Sequence, residues 1–389
     1  MRIGFVSVED ATDVKTWSGI PFHILKHLRD QNVEVELYSP LARDYRRRLF
    51  LPGALARLRG RPASLERHPI ALRSFARQIS KKLREHPVDV IFATSSIPIT
   101  LLECPQPIIF WTDAVVHAMY EYYAGGFANL TTAAMGRGKW QEEEALRRCA
   151  IAAYSSTWAV ETAKDLTDPQ KVRLLPFGSN MPSQYSAEEI ALIAQKKRGR
   201  GARSCELLFV GVDWERKGGD TAVETVKLLN EAGIATRLRV VGAKPTQTQP
   251  RFVEYMGFID KNSLDGLRRL TDLYCEADFF ILPTRAEAAG IVFCEASSFG
   301  VPIISYATGG VPDYVRNDVS GVCLAPGSPA SRFAESIAEI LSTQGRYEKL
   351  SAGAYQEFKT RLNWTSSVSL LLEFCHEALD NTRGRSARN

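Results

Sequence analysis

The sequence predicts two doubly wound α/β domains in tandem. Three observations lead there: short β-rich runs alternate with amphipathic stretches as far as residue 306, a charged glycine-containing stretch interrupts them once, and 389 residues exceed one ordinary core. Strands separated by helices require a parallel sheet covered on both faces. The interrupting stretch, 181–204, lacks apolar periodicity and reads as an exposed linker. Domains are therefore expected at 1–180 and 205–365, followed by a helix at 366–380 that is a candidate to cross back to the first domain, and a frayed tail at 381–389.

In the first domain Ile3–Val8 is the opening strand, and Trp17-Ser18-Gly19-Ile20-Pro21 starts a helix that reaches about Asp30. Ser18 suits the N-cap and Pro21 the first turn. Strands continue at Val33–Tyr38, Val88–Ala93, Pro107–Asp113, Ala150–Tyr154 and Val172–Pro176, with helices at Lys139–Cys149 and from Thr157. No GxGxxG follows the first strand, which argues against an ordinary dinucleotide dehydrogenase. The second domain repeats the scheme. Its strands are Leu207–Val212, Thr236–Val241, Val253–Ile259, Asp278–Leu282 and Pro302–Tyr306, and its helices Gly219–Ala232, Ser263–Cys275 and a segment after Gly290. Arg332–Leu341, Tyr347–Arg361 and Ser366–Leu379 read as further helices. Two such halves are expected to face each other across a hinge, with ligands where strand C-termini open.

Apolar residues make up 45% and charged residues 24% of the chain, the balance of a soluble globular protein. The first apolar run is too short for a signal peptide, and no run reaches the roughly 18 residues of a membrane span. The seven cysteines are scattered without a C-x-x-C pair, so reduced packing residues are expected rather than disulfides or metal ligands, in a cytoplasmic protein. The net charge of +5 is uneven: between Arg43 and Arg84 there are thirteen Lys or Arg and two acids. Mixed with Leu and Phe, these cations suit an anionic bilayer at about 1 kcal/mol each, at the inner face of the cytoplasmic membrane, or equally a solvated surface. No nucleic-acid motif accompanies them, so nucleic acid is not an expected partner.

The richest phrase is Pro283–Val315. It holds Glu287 and Glu295 eight positions apart, with Gly290 where a strand gives way to a helix. At the helical rise that separation spans roughly 12 Å, enough for two acids to touch opposite ends of one extended ligand. A second phrase, Phe209–Asp220, sets Arg216 and Lys217 just ahead of a helix start. A planar fork beside a point charge there makes a cradle for a diphosphate, although a solvated turn would look the same. Trp17-Ser18-Gly19 brings a small-residue loop to the first strand's end. Trp111–His117 puts Asp113 directly after a strand, with His117 four residues on. A lone histidine packs as readily as it binds.

Around these residues the chain resembles family 4 of the retaining glycosyltransferases, which have the GT-B fold of two facing Rossmann-like domains. Glu287 and Glu295 match the family's E-x7-E signature, and Ala-Asp-Phe-Phe-Ile-Leu-Pro-Thr, Glu-Ala-Ser-Ser-Phe-Gly-Val-Pro-Ile-Ile and Gly-Gly-Val-Pro-Asp-Tyr-Val are similar to its surroundings. The resemblance implies a hexosyl transfer from a nucleoside diphosphate sugar to an acceptor hydroxyl of a glycan, glycolipid or small molecule, in polysaccharide, lipopolysaccharide or other glycoconjugate biosynthesis. It implies no other cofactor and no metal.

By the same resemblance Glu287 would bind donor-sugar hydroxyls, with Ala289, Gly290 and Ile291 offering backbone N–H groups to sugar or diphosphate, and Glu295 would take the ribose. Arg216, Lys217, Ser18 and Gly19 would meet the diphosphate, and Gly242, Phe258 and Ile259 the base. Asp113 joins Glu287 as a catalytic candidate, and His117 is a candidate acceptor contact. Two departures stand out. Val212 occupies a position where many members carry arginine, so Arg216 is expected to take over that task. The family's Glu-Gly-Phe-Gly is here Glu-Ala-Ala-Gly, which would restrict any positive φ at Ala288. A nucleotide-sugar epimerase on the same fold, or a non-catalytic nucleotide-sugar-binding protein, are the alternatives.

Overall fold

A computed structural model describes residues 1–50, 65–127, 130–182, 185–199, 201, 203–245 and 250–386. The chain divides into two compact units, Met1–Leu175 with Ser367–Asn389, and Pro176–Ser366.

In the first unit β1 (Arg2–Val6), β2 (Glu34–Tyr38), β3 (Val90–Ala93), β4 (Ile108–Thr112), β5 (Ile151–Tyr154) and β6 (Val172–Leu174) form one parallel sheet in the order β2-β1-β3-β4-β5-β6. The central strands are continuous apolar runs because helices cover both faces: every residue of β3, β4 and β5 is buried. Phe5 meets Phe92 edge to face at 5.3 Å, and Phe110 meets Tyr154 in the same way at 5.7 Å. The helix Trp364–Ser386 is tied to this unit by Arg173 and Glu377 at 2.6 Å and by Ser369 and Gln31 at 3.1 Å. It corrects the expectation of a tail from 381, since helix continues to Ser386.

The second unit repeats the architecture with β7 (Ser204–Gly211), β8 (Ala235–Gly242), β9 (Val253–Gly257), β10 (Phe279–Leu282), β11 (Ile303–Tyr306) and β12 (Gly321–Leu324), parallel in the order β12-β11-β10-β7-β8-β9. β12 has no counterpart in the sequence reading, because four residues with three buried only in part carry little strand signal. The expected linker is corrected more sharply. Ala187–Arg198 is a helix with a Ser186–Glu189 capping box, and it buries Ile190, Ala194 and Lys197. Lys197 is 2% exposed and its ammonium donates to the Ala277 carbonyl at 2.6 Å, so part of the basic run is interior.

The basic region of the first unit contains the helix Pro69–Glu85, on which Arg73, Arg77, Lys81 and Arg84 are exposed. Arg43 is engaged by Glu9 and Glu66, and Arg57, Arg59 and Arg61 lie outside the described residues. All seven cysteines are free thiols.

Both sheets reverse winding once, between β1 and β3 and between β7 and β10. At such a switch point consecutive loops leave in opposite directions and open a crevice at the strand C-termini. That geometry, dictated by strand order alone, brings the loops after β7 and β10 together.

Below β3 and β5 the first unit holds a buried polar network. Gln141 and Glu142, both almost inaccessible, are adjacent on the helix Thr132–Arg148. Ser96 donates to one Glu142 oxygen at 2.8 Å and the Tyr154 hydroxyl donates to the other at 3.0 Å, while the Gln141 amide donates to Ser96 at 3.2 Å and to Thr100 at 2.9 Å. Arg67 donates to the Gln141 oxygen. Burial raises the Glu142 pKa against the opposing charge of Arg67 and the hydrogen bonds of Ser96 and Tyr154. A native pKa above the unfolded one means that the native state holds the proton more tightly. Its contribution is full below the ordinary value of 4.5 and is lost as pH rises through the raised native value. Urea unfolding of wild type and Glu142→Gln from acid to neutral pH should therefore show the stability difference moving in the variant's favour as pH rises. Parallel curves would contradict the assignment.

Candidate active site

At the switch point of the second unit two loops are held backbone to backbone. Gly218 ends the loop after β7 with φ 77°, and a Cβ placed there would lie 2.1 Å from the Pro283 carbonyl oxygen. Only glycine permits both the turn and the approach. The Arg216 carbonyl accepts from the Arg285 N–H at 2.8 Å, and the Arg216 guanidinium donates to the Ala286 carbonyl at 2.8 Å and to Asp213 at 3.2 Å. Beneath them Trp214 packs against Gly219 and donates to Asp220 at 2.8 Å, which fixes the helix start Gly219–Glu231.

This frame aims Lys217 at Glu287. Their side chains are 10% and 12% exposed and form an ion pair, with Arg216 3.8 Å from the same carboxylate oxygen. Three charged groups from two loops thus share one small volume largely withdrawn from water. An unpaired charge there would be costly, so the cations and the acid hold one another.

The phrase around Glu287 turns next at Gly290, which has φ 91° and caps the helix Ile291–Ser298. A Cβ on Gly290 would stand 2.5 Å from the Phe293 ring and 3.2 Å from Glu287 Cγ, so this glycine seats the acid against the helix start. No side chain caps that helix, and Ala289 and Ile291 on either side of Gly290 are buried. Ala288 corrects an expectation. Among the described non-glycine residues only Trp17, Ser18, Asn32 and Asp318 have positive φ, so alanine at 288 is not forced into a left-handed conformation.

Glu295 sits one turn into the same helix with its side chain 2% exposed. Lys261 pairs with one of its oxygens at 2.6 Å and the Tyr274 hydroxyl donates to the other at 3.2 Å. Neither partner was singled out by sequence reasoning: Lys261 follows β9 in a loop of no recognisable pattern, and Tyr274 reads as core. Of the residues assigned to the base, Gly242 has φ 90° with room for no Cβ beside the Gly211 carbonyl, 2.4 Å away. Phe258 is 74% exposed, whereas Ile259 is buried and offers only its backbone.

The remaining candidates belong to the first unit. Trp17, Ser18 and Gly19 are consecutive left-handed residues with φ 41°, 57° and 80°. Such conformations cost non-glycine residues about 1–3 kcal/mol each and concentrate at ligand-binding loops. Gly19, and not Ser18, is the N-cap of the helix Ile20–Asp30, which corrects the capping role expected of Ser18. Asp113 directly follows β4, its backbone carbonyl accepting from Ser155 at 3.4 Å. His117 lies in the helix Val116–Tyr122; burial, with Lys139, lowers its pKa, and its Nδ1 has no partner among the described residues. No group of three His, Cys, Asp or Glu among the described residues is arranged to hold a metal ion.

Residues 193–357 match the family described as glycosyl transferases group 1. Over 302 residues the chain is 28% identical to a D-inositol 3-phosphate glycosyltransferase of Xylanimonas cellulosilytica, covering 72% of this chain and 69% of that one. It is 30% identical over 179 residues to the lipopolysaccharide glucosyltransferase WaaG of Escherichia coli, 45% of this chain and 47% of the relative. Sucrose-phosphate synthase from Thermosynechococcus elongatus shares the fold with a TM-score of 0.69 at 16% identity, covering 98% and 100% of the two chains. HepE of Anabaena, solved with UDP, does so with a TM-score of 0.65 at 14% identity over 97% and 100%. The fold common to them and to this chain is GT-B.

Positions 218 and 288 of the site separate in a stability measurement. Gly218→Ala forces a left-handed alanine against a backbone oxygen 2.1 Å away and should lower unfolding stability by about 2 kcal/mol or more. Ala288→Gly relieves no strain and should change it by at most about 1 kcal/mol. A large gain from Ala288→Gly would show that strain resides at 288 after all.

Proposed function

We propose that this chain, whose residues 193–357 match the group 1 glycosyl transferases, moves a hexosyl group from a nucleoside diphosphate sugar to an acceptor hydroxyl with retention of anomeric configuration. The observation that carries the reading is the Arg216–Lys217–Glu287 cluster at the switch point. A diphosphate brings the negative charge that Lys217 now obtains from Glu287. When it enters, Lys217 exchanges carboxylate for phosphate and Glu287 is released to accept hydrogen bonds from sugar hydroxyls. Arg216 stays anchored by Asp213 and the Ala286 carbonyl, so its guanidinium is oriented in advance.

In the transfer the bond from the anomeric carbon to the diphosphate breaks, a bond to the acceptor oxygen forms, and the acceptor proton passes to the leaving phosphate. Charge grows on the diphosphate as this happens. Lys217, Arg216 and the uncapped helix start at Ile291 face that charge, and preorganised donors of this kind usually supply the largest stabilisation. Glu295 accepts the ribose, and Phe258 and the Ile259 backbone flank the base. We assign Asp113 and His117 to the acceptor and the Trp17–Gly19 loop to phosphate. The acceptor is a glycan, glycolipid or small molecule in glycoconjugate assembly. A lipid-linked acceptor is supported by the exposed cations Arg46, Arg47 and Arg48 beside Phe50, 70% exposed, which suit an anionic bilayer at the cytoplasmic face. No helix among the described residues is long and apolar enough to cross a membrane.

Lys217→Ala and Glu287→Ala should each lower kcat/KM by about 10²–10³-fold, measured as transfer or slow hydrolysis of UDP-, GDP- and ADP-sugars. Near wild-type rates in either would defeat the assignment. Because two cations already face the leaving group, excess EDTA should leave the rate unchanged; a metal-restored loss would refute metal independence. Replacing Arg46, Arg47 and Arg48 by Glu should abolish salt-sensitive cosedimentation with phosphatidylglycerol vesicles, and unaltered binding would remove this surface from the reading.

A further inference from the structure

Glu295 is held from two sides by residues outside its own helix. Its carboxylate is almost closed off from water, with Lys261 at 2.6 Å on Oε1 and the Tyr274 hydroxyl at 3.2 Å on Oε2. Tyr274 cannot turn away. It is fully buried, its ring is stacked on Phe299 at 5.2 Å with the planes 3° apart, and Phe280 closes its other flank at 6.2 Å. Burial and the charge of Glu295 also push its hydroxyl well above the usual tyrosine pKa, so it is a donor at any ordinary pH. Lys261 differs in being 29% exposed, so it stands on the open side of the acid.

A carboxylate offers roughly four lone-pair sites. Two are occupied here, which leaves one on each oxygen. With a buried donor fixing one oxygen and an ammonium balancing the charge at the other, the carboxylate keeps one orientation, and its two remaining lone-pair sites keep a constant direction. Such an arrangement fits a vicinal diol, which presents two hydroxyl donors at a fixed separation.

We propose that Lys261 and Tyr274 are positioning residues of the nucleotide site, which lock Glu295 so that it accepts both the 2′- and 3′-hydroxyls of the donor ribose and thereby selects ribonucleotides. The inference rests on the reading of Glu295 as the ribose contact. It goes beyond it in assigning the selectivity to two residues that need not touch the ligand. Neither alone suffices: Tyr274 cannot balance the charge of an enclosed carboxylate, and the flexible Lys261 cannot fix its orientation.

The test compares dissociation constants for UDP and GDP with those for their 2′,3′-dideoxy counterparts, in wild type, Glu295→Gln, Tyr274→Phe, Lys261→Ala and Lys261→Arg. Tyr274→Phe and Lys261→Ala should each weaken the ribonucleotide by about tenfold or more and leave the dideoxynucleotide within twofold of wild type. Lys261→Arg should recover most of the loss. In a Glu295→Gln background the same two substitutions should have no further effect on either nucleotide. Equal losses for ribo and dideoxy forms would reduce both residues to structural support, and an unchanged ribonucleotide affinity would likewise overturn the proposal. If wild type itself does not distinguish the two nucleotides, the ribose reading of Glu295 has failed. If only Glu295→Gln erases the distinction, that reading stands and the positioning role falls. Thermal unfolding of each variant identifies a global loss of structure, for which Tyr274→Phe, which keeps the stacked ring, is the safeguard.

Discussion

The second unit depends on the close approach of two backbones, Gly218 on the loop after β7 and Pro283 after β10. Because no side chain separates them, Arg216 and Arg285 exchange a main-chain hydrogen bond of 2.8 Å, and the two loops behave as one platform. The cluster of Arg216, Lys217 and Glu287 is mounted on it. Lys217 and Arg216 come from one loop and Glu287 from the other, and strand order places those loops next to each other before any side chain is considered. Gly218, next in the chain to Lys217, thus helps set the geometry of the ion pair through its own close approach to Pro283.

An ion pair so enclosed is weak evidence for stability, since desolvating both charges offsets much of their attraction. Its presence makes better sense as a stored arrangement of charge. The pair keeps a lysine and a glutamate oriented in a nearly dry place without a counter-ion from solvent. A diphosphate sugar offers each of them a new partner at once, negative oxygens for Lys217 and hydroxyls for Glu287. On the proposed reading the binding of the two halves of the donor is coupled, because either half alone leaves one of the buried charges without compensation.

Much of this could be read from the sequence, and the reason is local. The alternation of strands and helices follows from apolar periodicity, which the fold obeys closely, and the phrase from Pro283 to Val315 carries its own turn glycine. What could not be read was contributed by packing between distant segments. Lys197 looks like part of a solvated Lys-Arg run until the Ala277 carbonyl, 80 positions away, buries its ammonium. Lys261 gives no signal because its partner Glu295 lies 34 positions on, in another element. Residue type alone makes Ser18 a cap, whereas the three left-handed residues before Ile20 give that position to Gly19. Ala288 shows the converse: a missing family glycine suggested strain, but the turn that needs a glycine comes two residues later, at Gly290.

The two acids of the phrase now separate by the company they keep. Glu295 is buried and the Glu287 side chain is 12% exposed, and both face a lysine from another loop. Glu287 has Lys217 and Arg216 around it, cations that a phosphate can draw away without disturbing the loops, since Arg216 has its own anchors. Glu295 has a tyrosine that cannot move, and so its orientation outlasts any exchange at Lys261. A group that must change partners during a reaction is best held by charge alone, which a stronger competitor can replace. One that must recognise the same ligand surface each time is best held by a rigid neutral donor as well. The spacing of eight residues sets both acids on one strand-to-helix turn, and their partners, drawn from elsewhere in the chain, decide which of them yields and which stays.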